Sequence, residues 1–465
     1  MASDHGSHHY EAPPSAEEAL RDGIASLQSG PRFRPTVIVL AVLSVLGVVG
    51  VIIRITGGFE DRAAWGYYVA VFGYLLATAM GAPVLVFATR LAKGHWARPV
   101  RRAAALLGAA AGSVAVIWFI PMMFTLPPFE GRNNIWFDWP LSGRWLSSWA
   151  PAGFDLIAVI LLAGLAWAAL WADSIPDLAI LRDRWASGPG ALVTRLARGW
   201  IGTTNQWFMI TSFLIVMGAF YIMFWIFLHM MISTDFSMSL VPGWRSAIYP
   251  AYHALSGLQG TVAVCLVLFY LLRRFGGLER YLGVDQFWGP SKLLLATTIL
   301  MFYFTFSDFH TFWYGRMPNE QAILHQVYTG PNQWFFYIAF TLCFPATFLL
   351  IIWNPIRKSV LGPPLVSLLP LVGLFFDRIR LYAGPYAVPD PKGHELHLRN
   401  IGVIGPPDIA DVFIIVGAFA MVALLYILMM RVIPIISIWD VREGTLLHQE
   451  ATLIRLRAPA IAKPR

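Results

Sequence analysis

The sequence predicts an all-α, polytopic integral membrane protein with about ten transmembrane helices, and three observations lead there. Hydrophobic residues make up 57% of the 465-residue chain and charged residues only 13%, with a mean hydropathy of +0.61. A soluble domain carries about 25% charged residues. Ten apolar runs each come close to the ~20 residues that cross about 30 Å of hydrocarbon. Most of the 34 lysines and arginines fall in the two tails and in alternate loops, which is how a topology signal is distributed. The same distribution removes nucleic acid as an explanation of the +8 charge, because the basic residues sit in short loops and form no continuous face.

Residues 1–35 read as a polar cytoplasmic tail with one short helix. Acids and histidines precede the first apolar run, unlike a cleavable signal peptide, so the first span is expected to remain. His5, His8 and His9 are metal-ligand types, but their neighbours offer no fixed geometry and a solvated tail is the expectation. The membrane domain covers 36–433, with spans near 36–54, 65–90, 103–125, 152–172, 207–231, 250–273, 291–315, 332–353, 361–381 and 410–433. The ninth is the weakest, because Asp377, Arg378 and Arg380 crowd its end. The positive-inside rule puts both termini in the cytoplasm, and an even number of crossings agrees. Residues 434–465 then form a second cytoplasmic tail.

The loop KGHWARPVRR after span 2 is a basic hairpin bent at Pro99. The outer loop after span 3 is rich in Trp, Pro and Gly, and those after spans 5 and 9 are also external and large. They suit either anchoring at the membrane interface or docking of another protein. Spans 2–3 and 6–7 share a pattern of apolar run, basic turn and apolar run, compatible with two similar bundles. Cys265 and Cys343 lie inside apolar runs and read as buried, inert thiols. No CxxC or Cys/His spacing offers ligands for zinc or an iron–sulfur cluster.

With the N-terminus inside, His229, Asp235, His253, Asp308, His310, Asp377 and Arg378 all fall in the outer half of their spans. An ionisable group at that depth is costly and by default a functional hypothesis. Asp308 and His310 sit about two-thirds along 291–320. Tyr303, Ser307, His310 and Tyr314 step i, i+4, i+7, i+11 along one helical face, with Thr305, Asp308 and Thr311 on the next. Such a file inside a bundle holds water and passes protons. The bland alternative is that Asp308 and His310 simply satisfy each other or a neighbouring helix. Asp377, Arg378 and Arg380 read either as an intramembrane ion pair or as interfacial snorkelling, the second fitting Arg380 better, and Asp377 and Arg378 join the proton-path candidates. His229 and His253, with Asp235, are candidates for contacting a quinol hydroxyl, whose oxidation needs a base; satisfied bundle histidines are the alternative. Neither helix has a second histidine deeper down, which disfavours a b-type haem.

Several stretches resemble a known family: FSDFHTFWYGRMPNEQ followed by GPNQWFF, STDFSMSLVPGW after span 5, and KGHWARPVRR. Over roughly residues 60–435 the chain resembles the NrfD/polysulfide-reductase-like membrane subunits, closest to the quinone-binding subunit 2 of bacterial alternative complex III, a quinol:cytochrome c oxidoreductase. The resemblance implies ten transmembrane helices in two four-helix bundles plus flanking helices, in a bacterial inner membrane. It implies no cofactor, metal or catalytic residue held by this chain, with haem c and iron–sulfur clusters carried by partners. Those partners would be a homologous quinol-binding subunit, a periplasmic iron–sulfur subunit, multihaem cytochrome c subunits, small membrane subunits and a terminal oxidase. The implied task is anchoring the redox subunits and conducting protons, with quinone contact left open. The family commonly carries an amide where Asp308 stands and an acid after the arginine pair, where this chain has alanines at 103–105. A proton-coupled secondary transporter and a purely structural anchor are the alternatives.

Overall fold

Hydrocarbon offers main-chain N–H and C=O groups no water, so segments this apolar must close their hydrogen bonds internally as helices. The computed structural model describes residues 16–27, 30–126, 150–184, 191–389, 397–453 and 456–461. The tail histidines His5, His8 and His9, most of the outer loop after span 3, residues 390–396 of the loop after span 9, and the last four residues lie outside the described residues.

In chain order the helices are α1 (Ala16–Leu27), α2 (Phe33–Thr56), α3 (Gly66–Ala77), α4 (Ala82–Leu91), α5 (Arg101–Met122), α6 (Ala150–Arg184), α7 (Ala191–Leu196), α8 (Thr204–Asp235) and α9 (Ile248–Phe275). They continue with α10 (Val284–Gly315), α11 (Pro318–Leu324), α12 (Gln333–Thr341), α13 (Thr347–Ile351), α14 (Asn354–Arg357), α15 (Gly362–Tyr386), α16 (Ile409–Met429) and α17 (Ile438–Leu447). A short antiparallel hairpin, β1 (His448–Leu453) and β2 (Leu456–Ile461), follows. Among the described residues, 9 helical segments are long and apolar enough to cross a membrane. The expected tenth is α15, a 25-residue helix. It is not in that set, and it carries Asp377, Arg378 and Arg380, all buried.

One bundle packs α3–α4, α5, α6 and α8; the other packs α9, α10, α12–α13 and α15. They meet where α15 lies on α3 and α8 on α9, while α2 pairs with α16 at the flank. That pair is close because Gly47 and Gly417 face each other, and a Cβ on Gly417 would lie 2.2 Å from Gly47 Cα. Arg54 then closes it by ion pairs to Asp408 and Asp411 at 2.8 and 2.7 Å. The start of α8 is fixed by a capping box in which Thr203 Oγ1 accepts the Gln206 N–H and Gln206 Oε1 accepts the Thr203 N–H, both at 3.3 Å.

Two spans are interrupted where the sequence reads continuous apolar runs. The second breaks at the tight turn Ala79–Gly81. Pro83 removes a main-chain donor there, and Gly81 leaves room for Thr261, whose Oγ1 would lie 1.7 Å from an added Cβ. The carbonyls around the break are taken by side chains of α8 and α9: Trp225 Nε1 donates to Leu76 O at 3.1 Å, Tyr221 to Met80 O, and Thr261 to Thr78 O at 3.4 Å. The eighth span widens to a π-turn at Leu342–Ala346, around Pro345.

The bundle therefore has two ends. At the histidine end lie the C-termini of α8, α10 and α15 and the N-terminus of α9. At the arginine end lie the C-termini of α4 and α6, the N-terminus of α5, and α17.

Candidate functional site

At the histidine end, four helices and two connecting segments bring together a buried polar cluster. Asp308 projects from α10 into the bundle and accepts hydrogen bonds from Ser246 Oγ at 2.8 Å and Tyr328 Oη at 2.6 Å. Tyr328 lies outside the spans, between α11 and α12. Burial, and then the adjacent Asp308, push its phenol well above the ordinary value, so it remains a donor. The Arg380 guanidinium sits 5.3 Å from the Tyr328 ring centroid and 5.2 Å from that of Phe336. Arg380 donates to Val327 O at 3.0 Å and to Asp377 Oδ1 at 2.6 Å. Asp377 also accepts from Tyr252 at 2.9 Å and from Arg378 at 2.8 Å. Arg378 reaches on to Ser256 Oγ at 2.8 Å and to the His253 carbonyl at 3.1 Å.

From there the cluster runs through neutral rings. Tyr382 Oη lies 2.7 Å from His253 Nε2, and His253 Nδ1 lies 2.8 Å from His229 Nδ1. Each of these groups both gives and accepts a proton. The row can run in either sense: with Tyr382 donating to His253, His253 donates to His229, and the order reverses if His229 donates. Two arginines and two aspartates, Arg378, Arg380, Asp377 and Asp308, balance in formal charge within it. Without such pairing, charges at this burial would be very costly.

The structure places the expected site residues as follows. Asp377 and Arg378 form an ion pair at 2.8 Å, one of the two readings the sequence left open. Arg380 is no snorkel: it is 4% exposed and bonds inward, because Asp377 lies one turn before it on the same face. Asp308 does not pair with His310. The inward stripe of α10 is Leu294, Thr298, Met301, Thr305, Asp308 and Phe312. The expected file of Tyr303, Ser307, His310 and Tyr314 lies on the opposite, outward side, with Tyr303 61% and Tyr314 76% exposed. Helical spacing groups residues by face but does not say which face turns inward. Thr311 is also exposed and donates back to Ser307 O at 2.8 Å.

His229, His253 and Asp235 are fully buried. Both nitrogens of His253 are engaged, so this closed arrangement offers a quinone headgroup no access to that imidazole. Nor do the two histidines make a metal pair. Their nitrogens are hydrogen-bonded at 2.8 Å, whereas two imidazole nitrogens on one tetrahedral ion lie about 3.3 Å apart. Among the described residues no group of three His, Cys, Asp or Glu is placed to hold a metal. Cys265 and Cys343 are free and buried.

A second cluster, at the arginine end, escaped the sequence reading. Arg102 donates to Asp173 Oδ2 at 2.6 Å, to the Asp173 carbonyl at 2.7 Å and to Asp177 Oδ2 at 3.0 Å. Arg90 pairs with Asp173 at 2.5 Å, and Arg101 with Asp440 at 3.4 Å. The Asp177 carboxylate also accepts the main-chain N–H groups of Ile438 and Trp439 at 3.1 and 3.0 Å. It thus caps the N-terminus of α17 from another helix. Asp440 lies in the first turn of α17, outside the spans, and burial raises its carboxyl above the usual range against the pull of Arg90. The Trp439 indole donates to Asp173 O at 3.1 Å. The available signal was the i, i+4 pair Asp173 and Asp177 directly after an apolar run. It reads as the end of a span, yet α6 continues through Pro176 to Arg184.

No protein-family model matches the chain, and no curated protein matches it.

Proposed function

We propose that the chain is a membrane subunit of a respiratory quinol-oxidising complex of the alternative complex III type, anchoring peripheral redox subunits and carrying protons through its interior. The observation that carries this reading is the buried cluster at the histidine end, in which two rows of exchangeable groups, Ser246–Asp308–Tyr328 and Tyr382–His253–His229, stand on either side of the Arg380–Asp377–Arg378 ion pairs. Proton transfer inside a bilayer needs groups that exchange protons along preformed hydrogen bonds, and ionisable residues in spans are found where such relays work. Here hydroxyls and imidazoles exchange, while Arg378 and Arg380 supply fixed positive charge, since guanidinium does not deprotonate in proteins. The resemblance of FSDFHTFWYGRMPNEQ and its companion motifs to NrfD-like subunits supports the assignment to a redox assembly. In this reading the membrane is a bacterial inner membrane with the arginine end cytoplasmic. Haem c and iron–sulfur clusters belong to partner subunits, beside a homologous quinol-binding subunit. Quinone contact at His229, His253 and Asp235 receives no support from their closed packing.

The transporter alternative expects broken helices at matching places in two halves. The interruptions here fall in the first span of one bundle and the third of the other, so they do not match. The test is to purify the full chain from its native membrane in mild detergent. Recovery with c-type haem spectra and other subunits is the expected outcome. A chain that purifies alone and moves a solute in proteoliposomes would overturn the reading.

A further inference from the structure

The outward faces of this chain differ in chemistry. Between Ile38 and Ile53, α2 exposes only valine and isoleucine, and between Phe213 and Met230, α8 exposes only apolar side chains. Lipid tails satisfy such faces. On α10 the outward face instead carries Tyr303, His310, Trp313 and Tyr314. The His310 ring stacks on Phe306 and Tyr314, with centroids 5.5 and 5.7 Å apart.

Depth decides whether this is an ordinary interfacial belt. Lys292 and Lys358 lie 3.8 and 5.0 Å from the Trp288 ring centroid, the Lys/Trp combination of a membrane boundary. At 1.5 Å per residue, Tyr303 lies about 16 Å beyond Lys292, halfway through a ~30 Å core. A belt accounts for Trp313 and Tyr314 near the far boundary, but not for a phenol at mid-depth. A polar group left in hydrocarbon without a hydrogen bond costs several kcal/mol.

We infer that the α10 face carrying Tyr303, His310 and Trp313 docks a membrane-spanning helix of a different chain that presents hydrogen-bond acceptors at matching depth. Acceptors are required because the Tyr303 phenol at mid-depth has an O–H to donate, and because interhelical hydrogen bonds are what membrane helices use to pair polar faces. Lipid fails this requirement at the level of Tyr303. The inference rests on the proposed membership of a multisubunit assembly.

The experiment places the photoreactive residue p-benzoylphenylalanine at position 303 or 310 of the full chain in its native membrane, with positions 42 and 220 as lipid-facing controls. The expected result is one adduct from 303 and 310, absent from both controls. Its crosslinked peptide should map to a span of another subunit bearing Asp, Glu, Asn, Gln, Ser or Thr. Adducts with lipid alone, with a second copy of this chain, or with a wholly apolar span would overturn the inference. His310→Leu should lower recovery of that subunit at least threefold with unchanged amounts of this chain in the membrane; equal recovery also overturns it. If c-type haem still copurifies while α10 touches only lipid, the interface fails and the redox reading stands. If the polar span is found in an assembly without redox centres, the reverse holds.

Discussion

The two buried ionic clusters balance their charges, yet they are built for different work. At the arginine end Arg90, Arg101 and Arg102 face Asp173, Asp177 and Asp440, and further bonds go to main chain at Gly94, Asp173, Ile438 and Trp439 and to the Ser437 hydroxyl. No imidazole or phenol is bonded into it among the described residues, and the product is a clamp that seats α17 on the bundle. At the histidine end Asp377 and Asp308 are surrounded instead by Tyr252, Tyr328, Ser246, Tyr382, His253 and His229. The difference teaches that buried charge alone does not mark a path. The proposed proton path rests on the exchangeable hydroxyl and imidazole neighbours.

Four substitutions sharpen or break this contrast. Arg102→Met leaves Asp173 and Asp177 buried without their main partner, a change of about 3–5 kcal/mol. Folded yield and thermal stability in detergent should collapse, and a normally stable variant would refute the clamp. Asp377→Asn removes the one carboxylate between Arg378 and Arg380. It should cost about 3 kcal/mol and abolish proton transfer, read as a lowered melting temperature together with lost acidification by complex-bearing liposomes. Tyr382→Phe deletes a single hydrogen bond to His253, about 1–2 kcal/mol for the buried nitrogen left behind. Proton transfer should slow while the complex stays assembled on a native gel. Ser307→Ala, outside the network, should stay within about 0.5 kcal/mol and leave proton transfer unchanged; a large loss would return the outward file to the path.

The membrane class and most span positions were legible because apolar runs of this length have one physical solution. Asp377, Arg378, His229 and His253 stood out because such groups are costly in a span, and all four are buried together. Arg102 could not be matched to Asp173 and Asp177, 71 and 75 residues away, because sequence gives no distance between helices. The face of α10 was misassigned for a related reason: periodicity sorts residues onto faces, but packing against Ser246 and Tyr328 decides which face turns inward. The break at Ala79–Gly81 had only Gly81 and Pro83 as cues, and its carbonyl partners Tyr221, Trp225 and Thr261 come from distant helices.

The most direct test of the account is Asp308→Asn in the assembled complex. The amide keeps one acceptor oxygen for Ser246 or Tyr328 and nearly the same volume, so the fold should persist. Protons moved per electron, measured in liposomes with a pH-sensitive dye, should fall at least tenfold at unchanged subunit composition. Wild-type coupling in a fully assembled Asp308→Asn complex would contradict the claim that the histidine-end cluster carries protons.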